Sequence, residues 1–110
     1  MGTVLENFQE AAKNLHLCEL IDLNGNHRIV EPYIVYSSST GKQLFHCYQI
    51  SGYSKSGKSQ GWKNPEINSF QEAIILDDTF LPRPEYNPFN EKLFTVVYFS
   101  IPTIDGRQRH

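Results

Sequence analysis

Apolar residues recur at helical spacing at the start of the chain, where Val4, Leu5, Phe8, Ala11, Ala12 and Leu15 form one stripe and Thr3 with Glu6 supplies a capping box. This pattern predicts an amphipathic helix over about 4–14. From about residue 15 the composition turns to Leu, Ile and Cys, then Asn24-Gly25 gives a hairpin signal, then a β-rich run resumes at Arg28. Strands are therefore expected over about 15–23 and 28–36. A polar turn, Ser37 to Lys42, leads to a third strand over about 43–51, which alternates aromatic and β-branched residues with polar ones. After a long Ser/Gly/Lys loop, Trp62–Ile67 and Ala73–Leu76 read as one interrupted strand over about 62–76, with Pro65 at an edge or a bulge. Phe80 to Asn90 holds three prolines and reads as extended and irregular. Residues 93–101 form a last strand, and the polar tail frays.

One helix and about five short hairpin-connected strands predict a mainly β fold, a small, bent antiparallel barrel of the Sm-like or SH3-like kind filling 1–110 as a single domain. At 110 residues the chain can bury a core without disulfides or metals. Its net charge of -2 lacks the basic excess of a nonspecific nucleic-acid binder, which leaves only a local basic patch for that role. Neither a signal peptide nor an apolar stretch near membrane-spanning length is read, so a soluble, cytoplasmic protein with no membrane contact is expected. Cys18 and Cys47 fall in apolar strands, the setting of a buried, reduced cysteine. His16, Cys18, His46 and Cys47 do not make a metal site, because His46 and Cys47 point to opposite faces and no paired-cysteine motif is present. No cofactor is expected.

Gly52 to Ser59 satisfies the phosphate-loop pattern G-x-x-x-x-G-K-S, and Ile74 to Asp78 imitates the apolar strand and carboxylate that would hold its metal. A phosphate loop works through the N-terminus of the helix that follows it. Here Gly61 and Pro65 occupy the first turns of that helix, and too few residues separate Ser59 from Asp77 for a crossover unit of roughly 30 residues. The chain is therefore not read as a nucleotide hydrolase, and no turnover is expected.

The order of features resembles the WYL-domain family. Arg28-Ile29-Val30-Glu31-Pro32 is similar to that family's Arg-x-Val-Glu-Pro strand, Phe45-His46-Cys47-Tyr48 stands where the name-giving strand runs, and Leu76-Asp77-Asp78-Thr79-Phe80 followed by Arg83-Pro84-Glu85-Tyr86-Asn87-Pro88 resembles the ending of a short stand-alone variety that lacks a winged-helix DNA-binding domain. The resemblance covers about residues 4–101. It implies an Sm-like barrel acting as a ligand-sensing or regulatory module of bacterial type, a binder and not an enzyme. The Trp-Tyr-Leu triplet falls on Gln43, Leu44 and Phe45, and the family's Phe-Arg-x-Asp-Arg positions fall on Pro65 to Ser69. The loss of those arginines fits a protein-docking use better than sensing of an anion.

The candidate ligand residues are Arg28, whose guanidinium suits phosphate or carboxylate, Tyr48, which offers a ring face or a hydroxyl, and Lys55, Lys58 and Lys63, which make the serine-rich loop positive. Three partners are expected in turn. One is a nucleotide or oligonucleotide; in an alternative reading as a single-stranded nucleic-acid-binding barrel, Tyr33, Tyr36, Tyr48 and Tyr53 supply stacking faces. The others are a protein partner or a second copy, paired through the strand edge 93–101.

Overall fold

The computed structural model describes residues 2–54, 57 and 60–109. Helix α1 spans Val4–Lys13; β1 is His16–Asp22, β2 His27–Ser37, β3 Gln43–Gly52, β4 Gly61–Lys63, β5 Phe70–Thr79 and β6 Val96–Ser100, with a 3-10 turn at Ile67–Ser69 before β5. The capping box at the head of α1 forms in both directions: Glu6 N–H donates to Thr3 Oγ1 at 3.1 Å and Thr3 N–H to Glu6 Oε1 at 3.0 Å. At the other end Leu15 takes a positive φ of 58°, which turns the chain directly into β1. The β1–β2 connection is a three-residue loop, a turn closed by Gly25 N–H to Asp22 O and followed by Gly25 at φ 84°. Asn24-Gly25 thus ends a bulged hairpin loop and is not its two-residue apex.

All pairings are antiparallel. The sheet runs β4-β3-β2-β1-β5, and β6 also pairs with β2. β2 is the hub: its first half pairs with β1 as far as Val30, and its second half pairs with β6 from Ile34 onward. Pro32 lies between these two stretches, where β2 exchanges one neighbour for the other, so its missing N–H breaks no run of pairs. The pairing with β3 shifts register between Pro32 and Ile34, and through this bulge the consecutive residues Tyr33 and Ile34 both join the outer apolar cluster.

The sheet is covered on both faces. Beneath α1 lies an inner core that includes Phe8, Leu20, Val30, Val35, Phe45, Cys47 and Phe70, with the Phe8 and Phe45 rings stacked 3.8 Å apart. The outer face packs Tyr33, Ile34, Tyr36, Phe80, Tyr86, Phe94 and Ile101. This second core is roofed by the proline-rich segment, which stays irregular yet is pinned by Phe80 N–H to Leu15 O at 2.9 Å and Tyr86 Oη–H to Ile101 O at 2.8 Å. Burial on both sides explains why β2 is buried continuously from Val30 to Ser37 instead of alternating.

Two expectations need correction. Residues 62–76 are not one interrupted strand: β4 pairs with β3, whereas β5 pairs with β1, and the 3-10 turn carries the chain from one border of the sheet to the other. Pro65 does lie along an edge, its carbonyl accepting from Phe45 N–H. Secondly, six strands form and the sheet does not close, since among the described residues no pairing joins β4 to β5. It is strongly curled nonetheless, because Phe45 of β3 and Phe70 of β5 bring their rings to 6.0 Å across two intervening strands. The final strand is shorter than expected, Val96–Ser100 within 93–101. No helix among the described residues is long and apolar enough to cross a membrane.

Candidate ligand site

The phosphate-loop pattern is divided between two strands. Gly52 ends β3, and Gly61–Lys63 is strand β4, where a phosphate loop would have its helix. Gly52 has a structural duty of its own: at φ 103° it passes so close to β2 that a Cβ there would stand 2.5 Å from both Arg28 Cα and His27 O. Ile74 to Asp78 lie in β5, bordering β1 and not β3. Lys55 and Lys58 lie outside the described residues.

Alternation sorts the remaining candidates. On β3, Phe45, Cys47 and Gln49 face inward while His46 and Tyr48 face outward. Cross-strand partners share a face, so Lys63 opposite Cys47 is inward and Trp62 opposite Tyr48 is outward. Arg28, two residues before the inward Val30, joins the inner set, with its guanidinium 5.4 Å from the Phe70 ring and 5.9 Å from the Tyr53 ring. Arg28, Gln49 and Lys63 therefore share the inner face, on β2, β3 and β4 respectively. Tyr48 is not with them. It lies on the opposite face under the Arg83 guanidinium, 3.6 Å from its ring centre.

Each inner residue has an identifiable partner and two have an idle atom. Arg28 Nη2 stands 3.8 Å from Asp22 Oδ2, and both side chains are nearly buried. Asp22 is also held by the N–H groups of Asn24 and Asn26, at 2.9 Å each, and the Asn26 contact is the chief reason its carboxyl titrates below the usual range. Lys63 Nζ donates to Ser54 Oγ at 3.3 Å. Gln49 is fully buried, and its Nε2 donates to Tyr53 O at 2.8 Å. Among the described residues, Gln49 Oε1 and Arg28 Nε have no hydrogen-bond partner. Leaving a buried donor or acceptor unmet costs about 1–3 kcal/mol, more for a charged group. Two such atoms, one donor and one acceptor, lie on the paired strands β2 and β3.

Covalent chemistry has little support. Burial pushes the thiol of Cys47 up to about 12, with the charges of Arg28 and Lys63 opposing that rise, and burial does the same to Cys18. Both cysteines are free and are held as neutral thiols. No group of three metal-ligating side chains occurs among the described residues. The stacking platform of the nucleic-acid reading is also mostly withdrawn, since Tyr33 and Tyr36 are fully buried and only Tyr53 is well exposed.

The outer face carries a second polar network. Glu31 is paired with Arg83 of the roof, which donates Nε–H to Oε1 at 3.0 Å and Nη2–H to Oε2 at 3.1 Å. Tyr33 Oη–H donates to Glu31 Oε1 at 2.8 Å and accepts from Arg83 N–H at 3.0 Å. Trp62, partly buried, packs into this cluster among Tyr33, His46, Tyr48 and Tyr86. Sequence reasoning missed Gln49, although its place two residues after Cys47 on an alternating strand already turned an amide toward the core. Comparison with models of protein families, with curated proteins and with solved structures found no match for this chain.

Proposed function

We propose that this protein is a non-enzymatic binding module that takes an anionic ligand, a nucleotide or oligonucleotide phosphate, at Arg28, Gln49 and Lys63. The observation that carries this reading is the pair of idle buried atoms: a phosphate oxygen accepts from Arg28 Nε–H, and an N–H or hydroxyl of the same ligand donates to Gln49 Oε1. Lys63 adds a second positive charge. The resemblance to WYL domains supports a binding role, and the curled six-stranded sheet is read as an opened Sm-like barrel of that kind.

A thermal-shift screen with nucleotides, cyclic nucleotides and short single-stranded oligonucleotides at low and moderate salt tests it, because a ligand selective for the native state raises the melting temperature. The expected result is a clear shift with at least one phosphate ligand. Arg28→Met and Gln49→Met should abolish that shift, read against each variant's own ligand-free melting temperature, because each also gives up a partner, Asp22 for Arg28 and the Tyr53 carbonyl for Gln49. A shift that survives both substitutions, or no shift with any anion, would sink the assignment.

The sheet edges carry a second reading. β4 is three residues long and is followed by Pro65, and β5 carries Glu72, Asp77 and Asp78, all devices that discourage pairing. β6, Val-Val-Tyr-Phe-Ser, has neither charge nor proline, exposes Val96 and Tyr98, and adjoins a mostly apolar cavity of about 540 Å³ lined by residues including Leu81, Phe99, Ile101 and Ile104. The occupant proposed is a second copy, because antiparallel pairing of one edge with itself satisfies a two-fold axis. Sedimentation equilibrium should find a dimer that Tyr98→Lys converts to monomer; a wild-type monomer at high micromolar concentration would dispose of this reading.

A further inference from the structure

The polar tail is folded back rather than frayed. Thr103 N–H donates to Arg107 O at 2.7 Å, and Arg107 N–H to Thr103 Oγ1 at 2.9 Å, which closes a tight turn after β6. Gln108 Nε2–H then reaches Ser100 O at 2.8 Å, and Ser100 Oγ–H donates to Arg109 O at 3.3 Å. Between this turn, the C-terminal end of α1 and the start of the roof lies the apolar cavity of about 540 Å³. That volume is within the roughly 300–1,000 Å³ of small-molecule sites. Leu15, Phe99 and Ile101 line it, and so do Leu81 and Ile104, which are 73% and 49% exposed, two large apolar side chains left in water. The hydroxyls of Ser100 and Thr103 already donate within the tail, Thr103 to Asp105. Lys13, in the last turn of α1, also lines the cavity, and among the described residues its ammonium has neither an ion pair nor a hydrogen bond. The acids beside it in sequence or across the turn are answered elsewhere: Glu10 Oε2 accepts from Asn14 Nδ2–H at 3.1 Å, and Asp105 pairs with Arg107 at 3.4 Å. The unanswered charge at the cavity is therefore positive.

We propose that this cavity binds a medium-chain alkyl carboxylate, its hydrocarbon against Leu15, Leu81, Phe99, Ile101 and Ile104 and its carboxylate at Lys13 Nζ. Burial of the chain supplies most of the affinity, and the exposed ammonium sets the sign of the head group. A single ammonium suits a monoanion, whereas a phosphate dianion draws on several donors. The site shares no residue with Arg28, Gln49 and Lys63, so it stands or falls apart from the phosphate reading. Its β6 wall is Phe99 and Ser100, not the exposed Val96 and Tyr98, so a substitution at Tyr98 separates it from self-pairing through that strand.

The test is an amide chemical-shift titration of the isotope-labelled protein with decanoate at neutral pH, below the concentration at which decanoate forms micelles. Saturable one-to-one shifts are expected, concentrated at 12–15, 81–82 and 99–104. Affinity should rise by about three- to fourfold per CH₂ from hexanoate to decanoate. Leu81→Asp and Ile104→Asp change exposed side chains and leave the fold intact, and each should weaken decanoate by about tenfold through lost apolar contact and added repulsion. Lys13→Gln should weaken it by about two- to fivefold, the worth of an exposed ion pair. Decylammonium should bind less tightly than decanoate to the wild type and more tightly to Lys13→Glu. Shifts that do not saturate or that spread over the whole sheet, affinity flat with chain length, or decylammonium matching decanoate on the wild type would overturn the proposal, and so would Lys13→Gln without effect. Tyr98→Lys should bind decanoate as the wild type does. Binding by Tyr98→Lys alone would give the cavity to a second copy of the chain and overturn the assignment to a carboxylate.

Discussion

Gly52→Ala is expected to destabilise the protein by about 2–5 kcal/mol, a large share of the 5–15 kcal/mol that holds a domain of this size folded. Two costs add. A φ of 103° is one that L side chains rarely adopt, and the new Cβ would stand 2.5 Å from Arg28 Cα and His27 O. Both of those are backbone atoms of β2, so no side chain can swing aside. β3 must move away from β2 at the very pair, Arg28 with Gly52, that ends the two strands, and the hydrogen bond from Tyr53 N–H to His27 O at 2.8 Å is strained with it. Gly25→Ala is the control, because Gly25 also has positive φ but would place its Cβ with nothing within 4 Å. Urea unfolding should show a much larger drop for Gly52→Ala than for Gly25→Ala. Equal drops would mean that the close approach is not what makes glycine necessary, and a phosphate-binding duty for Gly52 would regain standing.

Gly52 also shows where reading the sequence succeeds and where it stops. Local signals are reliable in this chain: the capping box, the apolar stripe of α1 and the first three strands are placed to within one or two residues, because each is set by neighbours in sequence. What failed needed knowledge of the partner strand. Nothing in the period of residues 62–76 says that Trp62 will lie beside Tyr48 while Ile75 lies beside Cys18. The roof is a similar case. Three prolines do describe an irregular segment, but only the bulge at Tyr33 and the continuous burial of β2 reveal that it covers a second core. The site was half legible: Arg28 and Lys63 follow from charge, Tyr48 is removed to the other face by simple alternation, and Gln49 was readable only by asking which polar residue faces inward.

Arg83→Met is expected to cost about 2–4 kcal/mol, although it lies on a loop and touches no strand ladder, because it leaves the Glu31 carboxylate buried without its cation. Glu31 is only 9% exposed and Arg83 34%, so the loss should sit toward the lower part of that range, as solvent screens the arginine side of the pair. Among the described residues, Tyr33 Oη–H would remain as the side-chain donor to Glu31. The guanidinium also leaves the Tyr48 ring, which it approaches to 3.6 Å, and this contact adds to the loss. The informative experiment is the cycle of Glu31→Leu, Arg83→Met and the double variant. Removing both partners leaves no unpaired charge, so the double variant should be more stable than Arg83→Met alone, and the two effects should fall short of additivity by about 1–3 kcal/mol. Because the pair joins β2 to the roof beside Tyr33 and Tyr48, whose rings both pack on Trp62, the near-ultraviolet circular dichroism of Trp62 should weaken in Arg83→Met and recover in the double variant. Strict additivity, with an unchanged tryptophan signal, would show instead that the roof is held by Phe80, Tyr86 and Phe94 alone and that the ion pair only decorates it.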